Sequence, residues 1–327
     1  MANIKDVALY ARLSPSCVSK YLRNKDSVRE ENKRLIEDAI HSLQYVPSNV
    51  ARSLRNGKTM TIKALMPTIT LSFFAEIFEQ LRVPLLDAGY HLILQTIVPN
   101  QEFSERDFAF SDGAIIAFPN DSSDILGLAK LLSALNKPLV AMHGHDGVEG
   151  VVSVWADIRQ GMERAAEYMV LHGRKKIAYV GGNAESIPSF ERFRGFCAAV
   201  PEELRGGIFR RDFTMEWGYT AATRILESGE MPDGILCEND GSAAGVIKCF
   251  SKHGVSIPGD VWVFGFDDSP FAEIYTPSIS SVSIPSAEMS KAAVNSLLRV
   301  LSGDKAVDKR FDCRLVLRET TGDLQKG

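Results

Sequence analysis

Apolar residues in the first sixty positions recur at helical intervals, in short bursts separated by polar breaks. Val7, Ala8 and Ala11 make one burst and Val18, Tyr21 and Leu22 a second, with Leu13, Ser14 and Pro15 interrupting them. The pattern predicts two short helices joined at a tight corner. Ser14 suits the cap of the second helix because its hydroxyl can accept from a free backbone N–H, and Pro15 suits the first helical position, where no N–H partner is lost. Asn3 followed by Asp6 gives a similar start to the first helix. A third helix is readable from Arg29 to Leu43, with Leu35, Ile36, Ala39, Ile40 and Leu43 on one face. Three small helices around one core are what a helix-turn-helix DNA-binding head requires, although the pattern alone fits a plain helical subdomain equally well.

From Pro47 to Lys58 the chain reads PSNVARSLRNGK, with Ser48 or Asn49 as a cap and Asn56-Gly57 as a stop. A helix of about two turns is too short to be stable in water by itself, so this one should be conditional on a partner. From Thr61 onward the texture changes to apolar runs alternating with amphipathic stretches. Ile62 to Met66, Tyr90 to Thr96, Gly113 to Phe118 and Leu139 to Met142 read as buried parallel strands, with helices near Phe73 to Ala88 and Ile125 to Leu135. A second set follows, with strands at Lys176 to Val180, Gly207 to Phe209, Gly234 to Leu236 and Val261 to Phe264. Its helices lie near Ile158 to His172, Phe190 to Val200, Glu216 to Ser228 and Ser242 to His253. Two doubly wound sheets with a crevice between them are the expected α/β body, with ligands at the carboxyl ends of the strands.

Composition sharpens this picture at one point. The 327 residues carry a net charge of −4, yet residues 1 to 60 hold 11 Lys+Arg against 6 Asp+Glu and the rest hold 26 against 35. The head can approach phosphate, and the body would be repelled by it. Cys17, Cys197, Cys237, Cys249 and Cys313 show no CxxC spacing, which suggests reduced, mostly buried thiols in a cytoplasmic protein. The N-terminus lacks an export signal and no apolar run is long enough to span a bilayer, so no membrane partner is expected. His143 and His145 in MHGHD lie two residues apart at a strand end, but no third ligand accompanies them, and neither metal nor cofactor is expected.

Taken together, Ile4-Lys5-Asp6-Val7-Ala8, Ser14, Val18-Ser19, Asn24, Ala39-Ile40, Leu43, Tyr45, Pro47, Asn49 and Ala51-Arg52-Ser53-Leu54-Arg55 resemble the head and hinge of the LacI/GalR family of bacterial transcription regulators. The resemblance implies a head over residues 1–46, a hinge helix and linker over 47–60, and a periplasmic-binding-protein-like body. Its N-terminal subdomain would comprise 61–156 and 284–318, with a last helix at Ser286 to Leu301 and a final strand at Arg310 to Arg318. Its C-terminal subdomain would comprise 157–283. After Ile97 the stretch VPNQEFSERDFAFSDG is shorter than is usual in the family, so the second body helix should be missing or reduced. The chain would cross between lobes near Val154 to Ile158, Ser280 to Ile284 and Phe311 to Arg314. Pro15, Ser16 and Lys20 would face base edges in the major groove, while Ser19, Asn24 and Tyr45 would position the head on the DNA backbone. In the hinge, Asn49, Ala51 and Arg55 would also meet DNA, and Leu54 would wedge open a minor-groove base step. Arg192, Asn239 and Asp267 match effector positions of sugar- and purine-responsive members, with Phe73, Phe74 and Phe213 as an apolar wall. His143 falls where other members often carry Asp, replacing an obligate acceptor with a group that can donate.

These residues imply a homodimer on a palindromic operator, repressing transcription under control of a sugar or sugar-like effector, with no leucine heptads after Arg318 to build a tetramer. The rival reading is a small-molecule-binding enzyme or receptor with an accessory DNA-binding head. No P-loop, GxSxG, HExxH or GxGxxG occurs to support catalysis.

Overall fold

A computed structural model of the chain describes residues 2–45, 57–98, 101–119, 122–143 and 148–322. The hinge helix expected within 47–60 lies almost wholly outside the described residues. The chain divides into two compact units, Met1–Thr59 and Met60–Gly327, each described by itself.

In the first unit, α1 (Ile4–Tyr10), α2 (Pro15–Arg23) and α3 (Glu30–Ser42) share one core of Val7, Ala8, Ala11, Val18, Tyr21, Ile36 and Ala39. Asn3 caps α1 reciprocally: its side chain accepts from the Lys5 N–H at 2.8 Å, and its own N–H donates to Asp6 Oδ2 at 2.8 Å. Ser14 Oγ accepts from Cys17 N at 3.2 Å, and Pro15 opens α2. Tyr21 buries its ring and donates its hydroxyl to Glu37 Oε1 at 2.6 Å, tying α2 to α3. Leu35 departs from the expected apolar face and stays 42% exposed, because Ile36 and Ala39 already fill the space over α1 and α2.

The second unit holds two six-stranded sheets. The N-terminal lobe contains β1 (Thr61–Met66), α4 (Ser72–Asp87), β2 (His91–Thr96), β3 (Gly113–Ala117), α5 (Ser122–Ala134), β4 (Leu139–Met142) and β5 (Val151–Ala156). The C-terminal lobe follows with α6 (Ile158–Leu171), β6 (Ile177–Gly181), α7 (Ile187–Ala199), β7 (Arg205–Arg210), α8 (Met215–Ser228), β8 (Gly234–Cys237), α9 (Asp240–Lys252), β9 (Trp262–Asp267), α10 (Pro270–Ile274) and β10 (Ser280–Ser283). Then α11 (Ser286–Leu301) returns to the first sheet, and β11 (Lys309–Phe311) and β12 (Arg314–Val316) end the regular strands. The sheet orders are β11-β5-β4-β3-β1-β2 and β12-β10-β9-β8-β6-β7, parallel throughout except that β12 runs antiparallel to β10. Central strands such as Gly113–Ala117 and Ile177–Gly181 are buried on both faces, so their sequences are continuous apolar runs without alternation.

Three features bear on the sequence expectation. The strand expected over Arg310 to Arg318 is two strands in different sheets, so residues 314–318 join the C-terminal lobe rather than the N-terminal one. Arg318 anchors them there by donating to Ile279 O at 2.8 Å and Asp268 Oδ1 at 2.7 Å. No strand was expected before the crossing near Val154 to Ile158, yet Val151–Ala156 forms β5 beside β4, with Ser153 and Val154 buried. Between β2 and β3 the described residues contain one turn of 3-10 helix, Glu105–Phe108, in place of a body helix, as the short stretch there implies. Among the described residues no helix is long and apolar enough to cross a membrane.

Helices α8 and α9 approach closely because each offers a glycine to the other's backbone. A Cβ on Gly218 would lie 2.0 Å from Ser242 O, and one on Gly245 would lie 2.0 Å from Met215 O. Since the obstacles are backbone atoms, neither can yield by a rotamer change. Gly245→Ala is therefore expected to destabilise the body by about 1–3 kcal/mol, read as a lower denaturation midpoint in urea. An unchanged midpoint would contradict the close packing.

Candidate functional site

The crevice candidates sit where strands end. Phe118 follows β3, His143 follows β4, Asn239 follows β8 and Asp267 closes β9, so the topology gathers them at the carboxyl edges of both sheets. The backbone leaves these strands sharply: Phe118, His143, Asp267 and Asp268 have φ of 51°, 60°, 93° and 55°. Non-glycine residues seldom adopt that conformation, and it concentrates at sites where side chains must be aimed.

Between the lobes lies a cavity of about 380 Å³ whose lining includes Phe73, Phe74, Arg192, Phe213, Asn239 and Asp267, six of the seven expected effector positions. Phe73 and Phe74 extend from the start of α4 and pack edge-to-face with Phe118, at centroid distances of 5.6 Å for Phe73–Phe74 and 5.0 Å for Phe73–Phe118. Phe213 comes from the opposite lobe, its ring laid against Gly182, where a Cβ would meet it at 2.4 Å. The seventh position, His143, does not line the cavity. It stacks behind Phe118 at 5.1 Å and 9° between planes, 6% exposed, with Nδ1 lacking a partner. Burial, and then the nearby Arg192 charge, lower its pKa to about 3, so it is a neutral backing ring.

Arg192 reaches from the middle of α7 to the floor. One Nη donates to the Glu238 backbone carbonyl, the other donates to Asp267 Oδ1 at 3.0 Å, and Cζ lies 4.1 Å from the centre of the Phe266 ring. The pair is nearly covered, with side chains 6% and 11% exposed. Burial raises the Asp267 pKa and the guanidinium opposes that shift. Asn239 is more committed than the sequence suggests: Oδ1 accepts from Ser242 N at 2.8 Å and Ser242 Oγ at 2.6 Å, and Nδ2 donates to Phe213 O at 2.8 Å. It caps α9 and fixes the Phe213 loop, leaving one N–H for a ligand.

Sequence reasoning missed Phe118, Ser186 and Glu238, whereas Asp240 was open to the strand-end rule beside Asn239. Phe118 was open to the same strand-end rule that marks Asp267. Glu238 was not, because its role depends on long-range partners: Oε1 accepts from Tyr179 Oη and, at 2.8 Å, from Ser189 Oγ. Asp240 accepts from Ser269 N and Oγ at 2.7 Å and from Ser281 Oγ at 2.6 Å, and burial followed by Asp267 raises its pKa to about 7.

In the head, α2 exposes Pro15, Ser16 and Lys20 along its leading face. Ser19 lies one turn after Pro15 on the same face. It is nonetheless only 7% exposed, whereas Pro15, Ser16 and Lys20 are open. Asn24 is exposed but uses Oδ1 to accept from Asp26 N at 2.9 Å, and Tyr45 packs partly buried against the head core. Asn49, Ala51, Leu54 and Arg55 lie outside the described residues, as does His145. Among the described residues, no cluster of three His, Cys, Asp or Glu is arranged to hold a metal.

Two outcomes are expected from this geometry. Arg192→Met strands a buried carboxylate and should cost about 3–5 kcal/mol in chemical denaturation, much of it recovered in the Arg192→Met/Asp267→Leu double variant. His143 protonates near pH 6.5 when unfolded but only near 3 when folded, so the unfolded state gains protons first and stability falls as pH drops through that window. His143→Phe should flatten that part of the stability profile, followed by thermal unfolding from pH 7 to pH 3.

Comparison with known proteins agrees with this layout. Residues 3–48 match the family of bacterial regulatory proteins, lacI family, and residues 166–321 match a periplasmic binding protein-like domain. The HTH-type transcriptional repressor PurR of Photobacterium profundum is 30% identical over 337 aligned positions, covering 99% of this chain and all of the relative. The protein of the same name from Escherichia coli O1:K1 / APEC is 29% identical, over 95% of this chain and 92% of its own. Among solved structures, the Lac repressor dimer bound to operator and the anti-inducer ONPF superposes with a TM-score of 0.84 at 21% identity, over 98% of this chain and 99% of that one. A LacI family regulator from Enterococcus faecium with bound ribose gives 0.72 at 23% identity, over 81% of this chain and all of that one. With a helix-turn-helix head, a two-lobed body and this full-length likeness, the chain belongs to the LacI family: it is a DNA-binding transcription regulator and not an enzyme.

Proposed function

We propose that this regulator is a repressor that binds a palindromic operator as a homodimer and answers to a small molecule held in the crevice. The cavity between the lobes carries the reading. Both lobes supply its walls, and the chain passes between them three times, after Ala156, Ser283 and Phe311. A ligand that grips both walls favours one lobe arrangement over another, and only such differential binding can shift a switch.

On the DNA side, α2 enters the major groove with Pro15, Ser16 and Lys20 leading. Pro15 offers apolar contact only, and Lys20 reaches a guanine or a phosphate. The segment 47–60 folds beside its dimer mate in the minor groove, Leu54 opening the central base step. The excess of basic residues in the head supplies the phosphate attraction. In the crevice the effector is a sugar or similarly small ring metabolite, walled by phenylalanine and held at the Asp267 edge. Repression follows from occupation of promoter DNA by the dimer.

Selecting sites from a random duplex library, with and without pooled metabolites, tests the whole reading. A palindrome with a deformable centre supports it, and enrichment of nothing by a folded protein counts against it. Leu54→Ala should weaken binding to the selected site about tenfold or more with the fold intact. Lys20→Ala should reduce affinity by about 1–3 kcal/mol with relaxed specificity if Lys20 reads a base, or lower the salt slope by about 1 if it meets phosphate. Unchanged affinity and salt slope in both variants would refute the assigned faces.

A further inference from the structure

The crevice continues past Phe73 and Phe213 into a second chamber of about 430 Å³, which shares Leu71, Phe73, Phe213, Asn239 and Asp267 with the first. The ionisable side chains of its lining are all acidic. Glu216, Asp240 and Asp267 line it, no Lys, Arg or His does among the described residues, and Phe73, Phe213 and Phe271 add three aromatic rings. In the first chamber Glu185, Asp212 and Asp267 stand against Arg192 and Arg211. Neither arginine is a free clamp: Arg192 is spent on Asp267 and the Glu238 carbonyl, and Arg211 projects outward, 67% exposed, with Asp212 at 3.8 Å. Among the described residues, the N-terminal lobe adds no charged side chain to either lining. Arg192 meets only Asp267 Oδ1, so the acidity left in this ring-walled space comes from Asp267 Oδ2 and the exposed Glu216; it disfavours carboxylates and phosphates and suits an ammonium group, which carboxylates and aromatic faces both attract.

A separate observation concerns the wall of the first chamber. Ser186, 4% exposed, stands at the cap position of α7 yet makes no capping bond, and its hydroxyl has no partner although it lines the first chamber. A buried hydroxyl left so costs free energy unless something else meets it.

We propose that the effector is a small ring compound carrying a protonated amine, its ring between the phenylalanine walls of the first chamber and its ammonium directed at Asp267 in the second. Ser186 meets a polar edge of the ring. This rests on the crevice being the effector site. The raised pKa of Asp240 agrees with it, since burial and the neighbouring Asp267 charge both disfavour its carboxylate, and a bound ammonium would relieve that repulsion.

The test uses the full chain and two matched trios: glucosamine, glucose and glucuronate, then phenethylamine, phenethyl alcohol and phenylacetate. Binding is measured by titration calorimetry and saturation-transfer NMR at pH 7. The expected result is that in at least one trio the amine binds tenfold or more tighter than its neutral and acidic partners. Asp267→Asn should erase the preference, and the exposed Glu216→Gln, which does not touch the buried ion pair, should reduce it several-fold. A neutral or acidic member binding as well as the amine, an amine preference that survives both variants, or binding by none of the six overturns the assignment. Asn183→Trp, which fills the mouth of the first chamber, separates the two readings. A neutral or acidic winner that it blocks leaves the crevice standing and removes only the amine, whereas binding it leaves untouched removes the crevice as well.

Discussion

The buried contact between Arg192 and Asp267 is the interaction on which the crevice depends. It joins the middle of α7 to the end of β9, and through the Glu238 carbonyl it reaches the end of β8 as well. Without the guanidinium, Asp267 would be a carboxylate in a nearly dry floor at a left-handed backbone position. Removing a charge from water is costly, and the cost is met here by two hydrogen bonds and an aromatic face. The pair thus sets the shape of the floor first, and its remaining hydrogen-bonding capacity is what a ligand can use.

Around that pair the lobes divide the labour unequally. The N-terminal lobe supplies rings and small hydroxyls, with Phe118 stacked on a histidine kept neutral by burial. The C-terminal lobe supplies the charges. A ligand held by both therefore touches an apolar surface on one side and an electrostatic one on the other, and these respond differently to its chemistry. Burying a ring is nondirectional, whereas meeting Asp267 demands a donor at a defined place.

Much of this was legible in the sequence because its signals are local. The capping pair Asn3 and Asp6, the Ser14-Pro15 corner and the apolar runs of the central strands each depend on a few neighbouring residues. The crevice positions Arg192, Asn239 and Asp267 were legible through resemblance and strand-end placement. What escaped was whatever distant partners decide. Asn239 looked like a ligand amide, but Ser242 and Phe213 occupy most of it. Arg310 to Arg318 read as one strand because both halves carry the same extended pattern.

That split segment has a consequence for how the body is completed. β11 forms the outer strand beside β5, and β12 forms the outer strand beside β10, with only Asp312 and Cys313 between them. One short stretch of chain therefore supplies an outer strand of each sheet. Open edges are templates for pairing with other chains, and short, charged edge strands blunt them, so β5 and β10 stay exposed on that side until residues 309–316 cover them with two three-residue strands carrying Lys309, Arg310 and Arg314. Neither lobe can be finished from the residues that form its centre, and during synthesis the two must mature together, late, on the arrival of the same short stretch.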